Sequence, residues 1–295
     1  MDIDKYRVLL KVVELNGLTR AAEELGYTQS SISYILSSIE EAFGLKLLIR
    51  ERSGIHLTSE GEKLLPLIRE ICEKENALIN ELSDIHGLES GLIRIGTFAS
   101  TSAHWLPGII KSFSRQYKNI DFKLYHATFY SDIEQWISSG IVDCGFLSLP
   151  TQLPLKSYFL TGDRFMAILP KDHPLAASDI YPIMRFKEDA YVQLEDGKDM
   201  ETSQFFKEWG IEPNIKYTLV DDYAIIAMVE AGLGVALMPE LVVLNTSRQV
   251  VIKPIDRKCV RNIGLAVRSE AFESKAVKHF VEHVKAYVSG LSFKG

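Results

Sequence analysis

At 295 residues and a net charge of −6, the chain has room for two or three domains and no surplus of cations for holding nucleic acid by bulk attraction. Apolar residues make up 46% and charged residues 24%, so sizeable cores under an ordinary surface are expected. Cys72, Cys144 and Cys259 form no CxxC pair or Cys/His cluster, which speaks against a zinc site or disulfide framework and fits a reducing cytosol.

The opening MDIDKYRVLL lacks a charged-then-apolar leader pattern, and the apolar stretch near Ala224–Pro239 is interrupted by Glu230. A soluble, cytoplasmic protein without a membrane partner is therefore expected.

In chain order, residues 2 to about 16 predict a helix with Ile3, Tyr6, Leu9, Leu10 and Val13 on its core side and Gly17 as its stop. Thr19 is placed to cap a short second helix in which Ala21, Ala22 and Leu25 share a face, and Gly26 to end it. Thr28 can cap a third helix with apolar positions Ile32, Ile35, Leu36 and Ile39. Small residues at 21 and 22 allow a close, steep crossing, and the polar run Gln29, Ser30, Ser31, Ser33 and Tyr34 opens the third helix. That is the end which faces base edges in a helix-turn-helix. Two ordinary packed helices would satisfy the same periodicity. The segment 44–61 favours the DNA reader, because it reads as a strand, a turn at Ser53-Gly54 and a return strand, a wing carrying Lys46, Arg50 and Arg52. Against this, residues 1–60 hold seven Lys/Arg and nine Asp/Glu, a local charge of −2.

From about Thr58 a long helix is expected to reach Ile85, with Leu64, Ile68, Ile71, Leu78, Leu82 and Ile85 in 4-3 alternation and Glu75 at the one missing position. The stripe either packs on its own domain or pairs with a second copy; its place between two domains favours pairing. His86-Gly87 and Glu89-Ser90-Gly91 mark a linker.

Beyond it strands and helices alternate. Strands are expected at 92–97, 122–127 and 144–147, a Ser/Thr-rich turn at 99–102, and helices at 105–117 and 131–139. This is βαβαβ order, hence a mainly parallel sheet. A second unit has strands at 164–169, 191–194, 216–220, 235–238, 250–254 and 263–267, with helices at 201–209 and 223–231. A last helix, 274–289, can return to cover the first unit. Two crossings between α/β lobes describe a hinged ligand-binding module.

The chain resembles the LysR-type transcriptional regulators over nearly its whole length. The resemblance is carried by Thr19, Ala21-Ala22, Leu25, Gln29, Ser31, Ser33, Ile39-Glu40, Gly44, Leu47, Arg50, Leu57-Thr58 and Gly61, then by LIRIGT at 92–97, KDHPLA at 171–176 and VEAGLGVALMP at 229–239. It implies an α/β chain with an N-terminal all-α winged helix-turn-helix (residues 1–60), a linker helix that dimerises (61–87), and a two-lobed, periplasmic-binding-protein-like effector domain (88–295). Lobe 1 would span about 91–161 plus 268–295, and lobe 2 about 162–267. The family often has Pro in place of Ser30 and basic residues near Tyr34, Ser37 and Ser38, and this sequence departs from it at all four.

Thr19, Arg20, Thr28, Arg50 and Arg52 are the phosphate candidates, and Gln29, Ser30, Ser31, Ser33 and Tyr34 the groove candidates, Gln29 being able to pair bidentately with adenine. For Arg20 and Arg50 the plainer alternative is a solvated side chain. Ligand sites in α/β sheets lie at strand ends, which singles out Ser100, Thr101 and Ser102, where the hydroxyls either hold an anionic group or merely cap a helix. Phe129, Phe146, Thr202 and Asp222 stand at similar junctions. The resemblance implies a small metabolite, often a carboxylate, a homodimer or homotetramer, and a link to the transcription machinery. The alternative is a metabolite-binding protein without DNA function.

Enzyme motifs are missing from the sequence: no GxSxG, GxxxxGK[ST] or HExxH occurs, so no catalysis, cofactor or metal is expected. His279 and His283 lie four apart on a helix and could share a metal, but no acidic or Cys partner completes a site, and they read as a surface pair.

Overall fold

The structure is a computed structural model that describes residues 2–51, 54–85, 91–194, 201–244, 246–268 and 274–291, with the side chains of 24, 50, 76, 77 and 79–85 outside that description. The chain forms two compact units, Met1–Leu82 and Ser83–Gly295.

The first unit packs α1 (Ile3–Glu14), α2 (Leu18–Leu25) and α3 (Gln29–Phe43) around Val12, Ala21, Ile32 and Leu36. The core side of α1 is Tyr6, Val8, Leu9 and Val12, so the stripe lies closer to Val8 and Val12 than the expected Leu10 and Val13. The α1–α2 turn also departs from expectation. Asn16, not Gly17, takes the left-handed conformation (φ 47°), which Asn tolerates better than most residues. Its side-chain oxygen then accepts from the Ile55 amide at 2.7 Å and docks the hairpin β1 (Leu48–Glu51)–β2 (Gly54–Leu57). Thr58 donates to the Lys46 carbonyl and accepts from the Gly61 amide, starting α4 (Ser59–Ile85) against the hairpin. Gly61 is required there, because a Cβ would stand 2.3 Å from the Leu47 carbonyl oxygen.

The second unit opens with β3 (Gly91–Thr97), α5 (Ala99–His104), α6 (Leu106–Gln116), β4 (Ile120–His126), α7 (Tyr130–Ser138) and β5 (Cys144–Leu149). The Ser/Thr-rich segment expected as a turn is thus the helix α5. Next come β6 (Lys156–Pro170), β7 (Tyr191–Leu194), α8 (Glu201–Glu208), β8 (Ile215–Leu219), α9 (Asp222–Glu230), β9 (Ala236–Pro239), α10 (Glu240–Val243), β10 (Val250–Pro254), β11 (Val260–Val267) and α11 (Lys275–Ser289).

The main sheet runs β10-β6-β11-β5-β3-β4, with β9 also on β6. It is mixed rather than mainly parallel: β3 pairs in parallel with β4 and β5, whereas β11 and β6 enter antiparallel. The 15-residue β6 joins the lobes. Its first part pairs with β11 and its last part with β9 and β10. Because β11 pairs with β5 from Asn262 on, the chain is back beside the first lobe's strands by that residue, before the expected 268.

The run Phe165–Leu169 shows why β6 is apolar throughout here. Phe165, Ala167 and Leu169 face one core, with Tyr181, Phe186 and Phe206, while Met166 and Ile168 face another, with Ile225, Ile226 and Val229. A strand covered on both faces loses its polar alternation.

Candidate functional site

Two constellations stand out, one in each unit. In the first, α2 ends at Gly26 in a left-handed C-cap (φ 70°), and α3 begins after Thr28, whose hydroxyl accepts from the Ser31 amide at 3.1 Å. The Ser30 and Ser31 hydroxyls lie 2.9 and 2.8 Å from that same oxygen. Ile32, Leu36 and Ile39 hold α3 in the core, which turns Gln29, Ser30 and Tyr34 outward; Tyr34 is 74% exposed. An aromatic ring left in water on a helix otherwise anchored by its other face is a contact surface without a partner inside its own unit.

The acidic balance of this unit is partly internal. The Glu40 carboxylate is buried, takes the Leu47 and Leu48 amides at 3.0 and 3.2 Å, and pairs with Lys46. Desolvation pushes its pKa up, but the Lys46 ammonium and the two amides outweigh that and hold it below the usual range. Glu40 therefore fixes the start of the wing instead of repelling phosphate. Lys11 pairs with Glu14 at 3.1 Å and Arg7 with Glu75 at 2.8 Å. Thr19 and Arg20 are exposed at the start of α2. Lys5, which the sequence did not single out, donates to the Ser38 hydroxyl at 3.0 Å and brings an ammonium against α3.

On α4 the apolar positions divide. Ile68 (3% exposed) and Cys72 are buried with α1 and α3, Leu64 packs beside them, and Glu75 meets Arg7 from α1. Leu67, Ile71 and Leu78 are exposed, Leu78 by 60%.

In the second unit a cavity of about 580 Å³ opens between the lobes, within the range of roughly 300–1,000 Å³ usual for small-ligand sites. Its apolar wall includes Phe98, Phe129, Phe165, Val192 and Leu237; its polar groups include Ser102, His126, Tyr130, Glu201, Thr202, Asp221, Asp222 and Arg261. Arg261, on β11, organises one side. Its Nε donates to Asp163 at 2.9 Å, Nη1 to the Tyr130 hydroxyl at 2.9 Å and Nη2 to Ser100 at 2.9 Å, and its plane lies 5.1 Å from the Phe98 ring centre. Asp163 also accepts the Leu241 amide at 3.0 Å, tying β6 to α10. Burial pushes the Tyr130 hydroxyl pKa up, so it stays a donor-acceptor.

Residues 3–62 match the family model described as bacterial regulatory helix-turn-helix protein, lysR family, and residues 86–289 match that of the LysR substrate binding domain. The chain belongs to the LysR family. It is 29% identical to YvbU of Bacillus subtilis (strain 168), an uncharacterized HTH-type transcriptional regulator, over 97% of this chain and 98% of that one. Among solved structures, full-length CbnR in complex with its target DNA is 19% identical with a TM-score of 0.67, covering 97% of this chain and all of that one. The effector binding domain of QuiR in complex with shikimate is 24% identical with a TM-score of 0.62, covering 68% of this chain and 98% of that one. At these identities the two structures show the shared fold.

In this LysR-family chain the residues expected to meet DNA gather as a group. Thr28, Gln29, Ser30, Ser31, Ser33 and Tyr34 lie on the cap and first turns of α3. Thr19 does not cap α2; the N-cap is Gly17 and Thr19 is inside the helix, because the helix begins one residue before it. Arg50 lies on β1 with its side chain outside the described part, and Arg52 lies outside the described residues.

The expected effector residues separate. Ser102, Phe129, Thr202 and Asp222 line the cavity. Ser100 is buried one layer back, as an acceptor for Arg261. Thr101 faces inward, bonded to the Thr97 hydroxyl and the Phe98 carbonyl, and the Ser102 amide bonds the Phe98 carbonyl; the N-cap of α5 is Phe98, so the Ser102 cap does not form. Phe146 is a core residue against Trp105, on the interior face of β5.

Of the pairing stripe, Leu64 and Ile68 serve their own domain, Ile71 and Leu78 are exposed, and the side chains of Leu82 and Ile85 lie outside the described part. The register missed Leu67, which completes the exposed face. His279 and His283 pack against α6, the former beside Tyr117 and the latter bonded to Ser112 at 2.7 Å. Among the described residues no helix is long and apolar enough to cross a membrane.

Proposed function

We propose that residues 1–60 of this LysR-family regulator read duplex DNA through the start of α3, that 61–87 join two copies, and that 88–295 sense a small molecule in the inter-lobe cavity. The observation that carries the first part is the exposed polar run from Gln29 to Tyr34 on a helix whose other face is anchored in the core. Gln29, Ser33 and Tyr34 meet base edges; Thr28, Arg20, Arg50 and Arg52 meet phosphates. Leu67, Ile71 and Leu78 form the apolar seam between copies in a homodimer or homotetramer. A ligand held between Ser102 and Phe129 of one lobe and Thr202 and Asp222 of the other spans both lobes, so its binding biases their relative setting and, through the dimer, the spacing of the two reading helices. The protein acts in the cytoplasm with the transcription machinery, without catalysis.

Selection of bound duplexes from a random pool, followed by gel retardation across a salt series, tests this. Expected is a partly dyad-symmetric site retained with a steep salt dependence. No retardation at low salt would favour a metabolite-binding protein whose first sixty residues only associate.

A further inference from the structure

The cavity's charge does not suit the carboxylate ligand that the resemblance implies. Its one guanidinium or ammonium among the described lining residues, Arg261, is already committed: all three guanidinium nitrogens donate within the protein, and the Asp163 carboxylate offsets the charge at 2.7 Å. Facing the same space are three carboxylates, Glu201, Asp221 and Asp222. Asp221 is occupied in capping α9, accepting the Tyr223 and Ala224 amides at 2.7 and 3.1 Å. Glu201 Oε1 is buried with no hydrogen-bond partner among the described residues, and the half-buried Asp222 lines the same space. Burial pushes the Asp222 carboxyl up, and Arg261 and His126 only partly offset this.

An unpaired carboxylate withdrawn from water is costly, and a cationic partner relieves that cost. An incoming carboxylate would add a further negative charge and find no free guanidinium. On the reading of this cavity as the ligand site, we propose that its ligand carries a protonated nitrogen, an ammonium or amidinium on an apolar body, which it presents to Asp222 and Glu201. The aromatic wall of Phe98, Phe129 and Phe165 takes the body.

The test is isothermal titration of the full chain with shape-matched probes of opposite charge: 2-phenylethylamine against 3-phenylpropanoate, and 1,5-diaminopentane against glutarate. Expected is at least tenfold tighter binding of an amine than of its acid counterpart. Asp222→Asn should weaken the amine at least tenfold, with a smaller loss for Glu201→Gln. Asn is nearly isosteric and removes a desolvated charge, so Asp222→Asn should melt no lower than the parent chain; a melting scan checks this. Thr202→Trp, which fills the cavity, should abolish binding of every probe. Tighter binding of an acid, strengthened by Asp222→Asn and lost in Thr202→Trp, overturns the charge assignment while the cavity remains the ligand site. Failure of all four probes, or binding indifferent to Thr202→Trp, removes the cavity reading as well.

Discussion

In the amino-terminal unit the polar groups of interest stand in water on the first turns of one helix, held there by apolar residues on its opposite face. In the carboxyl-terminal unit they converge on Arg261 of β11 from β6, α7 and α5, and Arg261, Asp163 and Ser100 are withdrawn from water. The contrast has an energetic consequence. Groups on an exposed helix face contribute to binding and almost nothing to folding. Groups that must be paired to be buried contribute to both, so their removal cannot be silent.

The largest expected effect therefore lies in the buried network. Arg261→Met leaves Asp163 buried without its cation and should cost about 3–5 kcal/mol of stability, read by urea unfolding. Replacing both partners in Asp163→Asn/Arg261→Met should recover much of that loss. A single variant as stable as the parent would mean that this ion pair is not desolvated, and the contrast between the two units would lose its basis.

An intermediate case sits in the first unit. Glu40 is buried there as Asp163 is in the second, yet it serves the wing. Glu40→Gln weakens its hold on Lys46 and the Leu47 and Leu48 amides, and should cost about 1–3 kcal/mol. The folded carboxyl lies below its ordinary value, so the unfolded chain binds more protons in the acid range. The Glu40 contribution is accordingly complete above the unfolded pKa of about 4.3 and fades as pH falls through the lowered folded value. Glu40→Gln should flatten that part of the stability–pH curve, and an unchanged curve would mean the carboxyl is not held as described.

At the exposed face the balance reverses. Gln29→Ala and Tyr34→Ala should each weaken specific DNA binding by about 1–3 kcal/mol, as expected for loss of a base contact, with unfolding midpoints unchanged. A shifted midpoint in Tyr34→Ala would contradict its exposure.

The same contrast explains what could be read from the residue order. The helix-turn-helix depends on contacts within about one turn: Thr28 with Ser31, Gly26 with Ala22, and the apolar spacing of Ile32, Leu36 and Ile39. Such relations are visible locally. The pair Arg261–Asp163 joins residues 98 apart, and Arg261–Ser100 joins residues 161 apart. A weak signal existed, since Asp163 and Arg261 each border an apolar strand, where a lone charge needs a partner. Nothing local said that they partner each other. Phe146 misled for a related reason: period-two alternation places a strand residue on one face or the other but does not say which face meets the ligand. On α4, Leu64 and Ile68 fit a pairing register because the same 4-3 spacing serves a helix packed on its own domain. Only the position of α1 decides between the two, and Arg7–Glu75 fixes it.

The smallest expected effect concerns Arg20. It is exposed at the start of α2 and supports no core, so Arg20→Met should leave folding intact. Each phosphate contact releases about one condensed counterion, so losing one lowers the slope of log affinity against log salt by about 0.9. Binding should weaken to a similar degree on every sequence, specific or not, because a phosphate carries no base identity. That distinguishes Arg20 from Gln29, whose loss should spare non-specific binding and relax preference at one base pair. A slope unchanged in Arg20→Met would leave Arg20 a solvated side chain and shift the burden of phosphate contact onto the wing. An altered preference would instead mean that α2, and not α3 alone, reaches base edges.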